Sequence, residues 1–321
     1  MKLTLIFILL VSITSALTSG NNNNCISTNM MKRVLVTGGN KGIGKAICQR
    51  LLREYTDVHV LLGSRNIERG QQAVTGIREE LGASVCQDRL DVVCIDTSCD
   101  ESVKMAAATI AAPLYGIVNN AGIMQGTLQD VVNVNYFGPK RVFEAFEKLL
   151  QKPGGRVVNI ASAGGPKFNE VLDPSDELYQ ILTQPWTIPG DNNYLRFAAL
   201  DKIAKEYQTG DAYRFSKALV NAYTVLLARE QPDLIINSVT PGWIQTDMTA
   251  GSAAKGTPQQ GSVPPVWLLM SPDLERVPTG RYYGSDCVRS PLHCYRGPGD
   301  EPYDGPDGLA IQKESMVQSQ K

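Results

Sequence analysis

From Lys32 to about Gly284 the chain alternates short runs of Val, Ile and Leu with longer stretches whose apolar residues recur at three- and four-residue spacing. That rhythm permits few folds, because a strand apolar on both sides must be covered on both faces. Strands are expected at Arg33–Thr37, Val58–Gly63, Asp91–Ile95, Gly116–Asn119, Arg156–Ala161, Leu234–Thr240 and Arg281–Gly284. Between them lie helical patterns such as GKAICQRLLREY and SKALVNAYTVLLARE. Strand and helix in alternation imply crossover connections and a parallel sheet. The expectation is one α/β domain over residues 32–289, doubly wound in the Rossmann manner, with about seven strands.

Three stretches stand outside this rhythm. Residues 1–16 carry a Lys2, an apolar run and then small residues up to Ala16, the layout of a secretory signal peptide, followed by a polar linker over 17–31. The apolar run is too short for a membrane span, which needs roughly 20 apolar residues. A used signal would place the protein in the lumen of the secretory pathway or an organelle reached through it. Initiation at Met30 or Met31 would leave it in the cytoplasm. Residues 166–210 form an insert with Phe168, Tyr179, Trp186 and Tyr194 between a strand and the helix due after it, either a lid or a packing element. Residues 290–321 open with a Pro- and Gly-rich stretch expected to wrap the surface irregularly.

Charge narrows the partners. With 31 basic and 32 acidic residues the net charge is -1, and no run of either sign offers a footprint for nucleic acid. The seven cysteines show no CxxC spacing and the two histidines, His59 and His293, are far apart in sequence, so no metal site is expected. A small molecule is the expected partner.

The stretch TGGNKGIG at residues 37–44 sits between the first strand and the first helix. At such a turn, helix-terminal N–H groups face a ligand and glycines let a phosphate approach the backbone. Gly38 and Gly42 suit that approach, and Gly44 suits close packing of helix on sheet. The spacing is TGxxxGxG rather than GxGxxG. It resembles the short-chain dehydrogenase/reductase family, as do Asn119-Asn120-Ala121-Gly122, the Asn135-Tyr136-Phe137-Gly138 stretch, Ser162, Tyr213 with Lys217, and Pro241-Gly242, all in order. The likeness spans about residues 32–286. With TGGNKGIG, SRN followed by RG, PGWIQTDM and the long insert, the chain looks most like the monomeric NADPH-dependent carbonyl reductases.

The residues themselves allow the chemistry that the resemblance implies. Tyr213 and Lys217 are four apart and share a helix face. A phenol with an ordinary pKa of about 10 needs roughly 4 kcal/mol of preferential stabilisation of its anion to titrate near 7, and one cation supplies one to three units of that. Ser162 offers a hydroxyl to a carbonyl oxygen on which charge develops. By resemblance Tyr213 is the general acid, Lys217 also grips the ribose, and Asn135 holds a water in a proton relay.

The resemblance further implies cofactor contacts from Thr37, Gly38, Asn40, Lys41, Gly42, Ile43, Gly44, Ser64, Arg65, Asp96, Asn120, Ala121, Gly122, Tyr213, Lys217, Pro241, Gly242 and Trp243. Ser64-Arg65 stand where family members that use NAD carry an acid. A cation there, helped by Lys41, suits the 2'-phosphate of NADP(H), whose charge is about -1.5 to -2. Asn66 replaces the acid often found next in the family. Trp243, Met248 and Trp186 are candidates for a substrate pocket that takes a ketone, aldehyde or quinone. The same residues serve an alcohol or steroid dehydrogenase working oxidatively, and a catalytically silent NADP sensor would share the loop. The insert would cover the helices through which family members associate, which implies a monomer.

Overall fold

The strands are β1 (Lys32–Val36), β2 (Val58–Ser64), β3 (Leu90–Cys94), β4 (Gly116–Asn119), β5 (Arg156–Ile160), β6 (Ile235–Val239), β7 (Tyr282–Tyr283) and β8 (Arg289–Ser290). In this computed structural model, which describes residues 31–110, 113–188, 193–272 and 278–306, they form one sheet in the order β3-β2-β1-β4-β5-β6-β7-β8. The candidate signal peptide, the linker up to residue 30 and residues 307–321 of the tail lie outside the described residues. Neighbouring strands are parallel from β3 to β7, and β8 runs antiparallel to β7. The seven strands expected from the apolar runs are present, and the eighth is a two-residue addition at the edge.

Burial explains those runs. In β1, Leu35 joins one core cluster while Val34 and Val36 join another, so the strand is covered on both faces. On one side Ile47 and Leu51 of the Gly42–Glu54 helix pack with Val266 and Leu269 of the Val263–Met270 helix. On the other lie Phe143 and Phe146 of the Gly138–Phe146 helix, with Phe215, Leu219 and Leu226 of the Ala212–Glu230 helix. Strand order reverses between β1 and β4, because β1 pairs with β2 on one edge and β4 on the other. The carboxyl ends of these strands therefore flank an open crevice, the place where such sheets bind ligands.

The Ala212–Glu230 helix is buried without a break from Phe215 to Ala228. One apolar stripe suffices for a surface helix; this one is enclosed, and the insert encloses it. Residues 166–210 contribute Phe168, Ile181, Leu182, Ile188, Leu200 and Ala204 to the same core cluster. Tyr136 Oη donates to Asp201 Oδ1 at 2.7 Å, and Lys140 pairs with the same carboxylate, which ties the Asn193–Glu206 helix to the Asn133–Phe137 turn and the Gly138–Phe146 helix. Of the two readings of the insert, packing is the one that these contacts realise. The tail also joins the fold: Ser290 lies in β8, and Ser290, Pro291 and Arg296 are buried, so a boundary at 289/290 divides the chain at no structural seam.

Candidate active site

The glycine loop enters the crevice after β1. Gly38 and Gly42 have φ of +64° and +54°, which side chains with a Cβ rarely adopt. A Cβ on Gly44 would stand 2.3 Å from the Gly38 carbonyl oxygen and 2.5 Å from Asn120 Nδ2, so no larger residue fits. Asn120 Nδ2 donates to the carbonyls of Thr37 at 2.9 Å and Gly38 at 3.2 Å. In return Thr37 Oγ1 accepts from the amides of Asn120 and Ala121 at 3.0 and 3.1 Å. These bonds fasten the loops after β1 and β4 to each other. The helix that follows begins at Gly42 with no side-chain cap and no acidic residue in its first turn. Its first amides are a fitting cradle for an anion. Asn40 and Ile43 border it, each half-buried.

At the end of β2, Ser64 is buried and its Oγ donates to the Asn66 carbonyl at 2.8 Å. Asn66 caps the Ile67–Leu81 helix by accepting from Arg69 N at 2.8 Å, which gives this departure from the family pattern a structural task. Arg65 between them is exposed. Asp96, after β3, accepts from the amide and hydroxyl of Ser98 at 3.0 and 2.6 Å. Lys41 was expected to await a phosphate, and instead its Nζ pairs with Asp247 at 2.7 Å. Both side chains are largely exposed, so solvent and salt screen the pair, which yields readily to a doubly charged competitor.

The candidate reacting groups meet in the same crevice. Tyr213 is half-buried, and burial raises its pKa while the adjoining Ser162 hydroxyl lowers it, with burial prevailing. Lys217 Nζ is 5.7 Å from the Tyr213 ring centroid and donates to the Ile160 carbonyl at 2.8 Å. Burial pulls its ammonium from 10.5 down to about 8. The lysine alone therefore does not bring the phenol toward neutrality: a dry site raises the cost of the anion and weakens the cation together. A Cβ on Gly122 would lie 3.1 Å from Asn135 Oδ1 and 3.7 Å from Lys217 Nζ, which places these three residues side by side.

Asn135 sits in a π-helical turn, Asn133–Phe137. Its Oδ1 accepts from Ile123 N at 2.8 Å, and its Nδ2 donates to Ile123 O at 2.8 Å and Ser216 Oγ at 3.0 Å. These bonds tie the π turn to the loop after β4 and to the Ala212–Glu230 helix. Sequence reading missed Ser216, whose Oγ also donates to the Tyr213 carbonyl at 2.7 Å. Its position between Tyr213 and Lys217 was the available signal, since i and i+3 share a helix face.

After β6, Gly242 turns with φ of +93°, and its amide donates to Thr240 Oγ1 at 3.3 Å. Pro241 precedes that turn, and Trp243 and Met248 follow it, 64% and 39% exposed. Met124, beyond Gly122, is 39% exposed too, so apolar groups line the loops at this end of the sheet. Trp186 lies elsewhere. It lines a cavity of about 280 Å³ with Tyr179, Val225, His293 and Tyr303. Val225 is twelve residues beyond Tyr213 on one helix, about 18 Å along its axis. Other parts of the insert pack near the start of that helix, with Phe168 and Tyr207 on Phe215, whereas Trp186 lies with Val225 about three turns further along.

Comparison with known proteins identifies the family. The family model of the short chain dehydrogenases matches residues 32–172. Carbonyl reductase (NADPH) 1 of Mus musculus is 31% identical over 272 residues, which cover 77% of this chain and 94% of that protein. (+)-Neomenthol dehydrogenase of Arabidopsis thaliana is 29% identical over 288 residues, 78% of this chain and 94% of the relative. Salutaridine reductase of Papaver somniferum superposes with a TM-score of 0.64 at 24% identity, over 78% of this chain and 99% of that one. For NADPH-bound carbonyl reductase from chicken fatty liver the TM-score is 0.58 at 21% identity, over 82% and 99%. The two structures speak for the fold. The chain belongs to the short-chain dehydrogenase/reductase family of oxidoreductases.

The depressed Lys217 has a consequence for stability. Below about pH 8 the native protein holds a buried ammonium at a cost. Between about 8 and 10.5 it releases a proton that the unfolded chain keeps, so this group makes stability rise with pH across that window. The displacement corresponds to about 3 kcal/mol, less about 1–2 for the donor lost to the Ile160 carbonyl. Lys217→Met is therefore expected to be more stable than wild type at pH 7 by on the order of 1–2 kcal/mol in urea unfolding. The advantage should shrink as pH rises from 8 to 10; a variant less stable at pH 7, with a gap insensitive to pH, would contradict the assignment.

Proposed function

We propose that the protein is an NADPH-dependent carbonyl reductase that converts a ketone, aldehyde or quinone to an alcohol. The observation that carries this reading is the convergence of Ser162 and Tyr213 beside Lys217, in the crevice that the glycine loop and its uncapped helix also face. The cradle fits a dinucleotide: Gly38 and Gly42 let the loop turn at positive φ, Gly44 lets the helix start close against it, and the first, uncapped amides of the helix are available to bind a pyrophosphate. Exposed Arg65 at the end of β2, with Lys41 once freed from Asp247, suits a 2'-phosphate. When bound, NADPH supplies the hydride.

The chain's own residues perform the rest. Ser162 donates a hydrogen bond to the substrate carbonyl oxygen and stabilises the charge that grows there. Tyr213 delivers its phenolic proton to that oxygen. The raised pKa of Tyr213 keeps the phenol protonated at neutral pH, which suits an acid in the reductive direction and disfavours the phenolate that oxidation requires. Lys217, fixed by the Ile160 carbonyl, lies beside the proton path, and the Asn135 side-chain amide borders it. The relatives named for carbonyl reduction with NADPH support the same direction.

Two variants test the parts separately. Tyr213→Phe is expected to lower turnover at least 1,000-fold while NADPH affinity, measured by fluorescence titration, stays within a few-fold; wild-type turnover by this variant would reject the acid. Arg65→Asp is expected to weaken NADPH and favour NADH, by roughly 100-fold or more in the ratio of their kcat/KM values, because it reverses the charge facing the 2'-phosphate. An unchanged ratio would count against that contact.

We also propose a monomer. The insert helix Asn193–Glu206 occupies the outer face beside the Ala212–Glu230 and Gly138–Phe146 helices, with Phe197 against Tyr223 and Asp201 on Lys140. Light scattering at micromolar concentration should give the mass of one chain; a dimer mass would show that these helices associate despite the cover.

A further inference from the structure

The tail segment after β8 turns back on the hairpin between β7 and β8, where Arg289 donates to the carbonyls of Gly305 and Pro306 at 2.9 and 3.0 Å and a shielded charged pair grips the turn itself. Arg296 Nη1 and Nη2 donate to the two carboxylate oxygens of Asp286 at 3.1 and 2.6 Å. The same guanidinium donates through Nε to the Glu301 carbonyl at 3.0 Å and through Nη2 to the Asp300 carbonyl at 2.7 Å. Gly299 N adds a bond to Asp286 Oδ2 at 3.1 Å. The Arg296 side chain is 5% exposed and the Asp286 side chain 21%, so the pair is largely shielded from water and its two parallel bonds fix direction as well as distance.

The hairpin that this pair grips touches the candidate site. A Cβ on Gly242 would lie 3.3 Å from Ser285 Cβ, so Ser285 packs against the turn that leads to Trp243 and Met248. Thr240 N donates to the Tyr283 carbonyl at 3.0 Å, the buried Tyr282 hydroxyl bonds the Thr240 side chain, and Thr240 Oγ1 accepts from Gly242 N. On its other side Tyr282 packs with Ala161, next to Ser162, and with Val220, one turn beyond Lys217; Leu292 of the tail closes that cluster.

We propose that Asp286 and Arg296 are positioning residues that hold the start of the substrate-side loop, Gly242–Met248, at a fixed distance from Ser162 and Tyr213. The proposal rests on the carbonyl-reductase reading for its kinetic consequence, though its mechanical part does not. Neither residue touches the reacting atoms. Their effect passes through Ser285, Tyr282 and Thr240 to the turn at Gly242; the glycine loop meets the same segment further on, with Lys41 on Asp247 and Gly42 beside Thr246, but is fastened by its own bonds between Thr37 and Asn120. Loosening the pair should therefore disturb placement of the carbonyl substrate more than binding of the dinucleotide, most of whose cradle keeps its own anchors at Thr37 and Asn120.

Arg296→Met removes the fork, Arg296→Lys keeps the charge without it, and Asp286→Asn keeps the shape with weaker bonds. For soluble Arg296→Met the expected result is a KM for an aromatic ketone raised about 10-fold, with kcat and the NADPH Kd each within about 3-fold of wild type. Arg296→Lys and Asp286→Asn should fall between. Hydrogen exchange of the native protein supplies a readout independent of turnover: amides of residues 242–249 should exchange at least 10-fold faster in Arg296→Met, with those of residues 38–44 unchanged. Equal exchange at 242–249, or acceleration at both loops alike, would overturn the proposal, as would an unchanged KM. If Arg296→Met fails to fold, the same two readouts on Asp286→Asn decide. If wild type oxidises no NADPH with any carbonyl, the function reading falls, while the exchange comparison still decides the role of the pair.

Discussion

The site depends on one crowded junction, where Gly44 presses on the Gly38 carbonyl and Asn120 fills the remaining space with its amide. No Cβ fits between the loop and the first turn of its helix. The Asn120 amide has spent both its hydrogens on the carbonyls of Thr37 and Gly38, so the loops after β1 and β4 move as one piece. Since those two strands are where sheet order reverses, fixing them fixes the width of the crevice. Side chains further along the sheet are aligned relative to a wall that is already rigid.

The Ala212–Glu230 helix is the second wall, and it carries a cost. It is enclosed because the insert covers its outer face, and enclosure is what makes Lys217 an expensive residue at neutral pH. A methionine would pack there more comfortably. A charge kept in a dry place at the expense of stability, beside a phenol whose own pKa is raised, is better explained by chemistry than by folding. The same burial keeps Tyr213 protonated, so the enclosure that weakens the fold favours a proton donor.

Much of this was legible from sequence because the signals were local. Parallel strands covered on both faces read as unbroken apolar runs, and seven of them fell within a residue or two of their places in the sheet. The glycine spacing and the Tyr213–Lys217 interval depend only on near neighbours along the chain. What failed to show depended on distance. Lys41 and Asp247 are 206 residues apart, and no periodicity announces their pairing. Trp186 was equally compatible with a lid or a packing element, because deciding requires knowing which stretch of a 19-residue helix the insert lies against. The tail was read as irregular from its Pro and Gly content, which describes its backbone correctly and says nothing of Arg296, whose anchor lies ten residues earlier in the hairpin.

The two additions that lay outside the strand-helix rhythm, the insert and the tail, converge on one helix from different sides. The insert packs Phe168, Leu200 and Ala204 into the core cluster that holds Phe215 and Leu219, and the tail brings Leu292 against Val220. The candidate cofactor cradle is built from β1, β2 and β4 and their loops, outside both additions among the described residues. The cradle is therefore specified by glycine spacing local in sequence, whereas the candidate substrate rim depends also on its contacts with the hairpin after β7. This is why TGGNKGIG speaks for the dinucleotide and is silent on the substrate. Selectivity among carbonyl compounds has to be read from the apolar rim of Met124, Trp243 and Met248 and from whatever holds that rim in place.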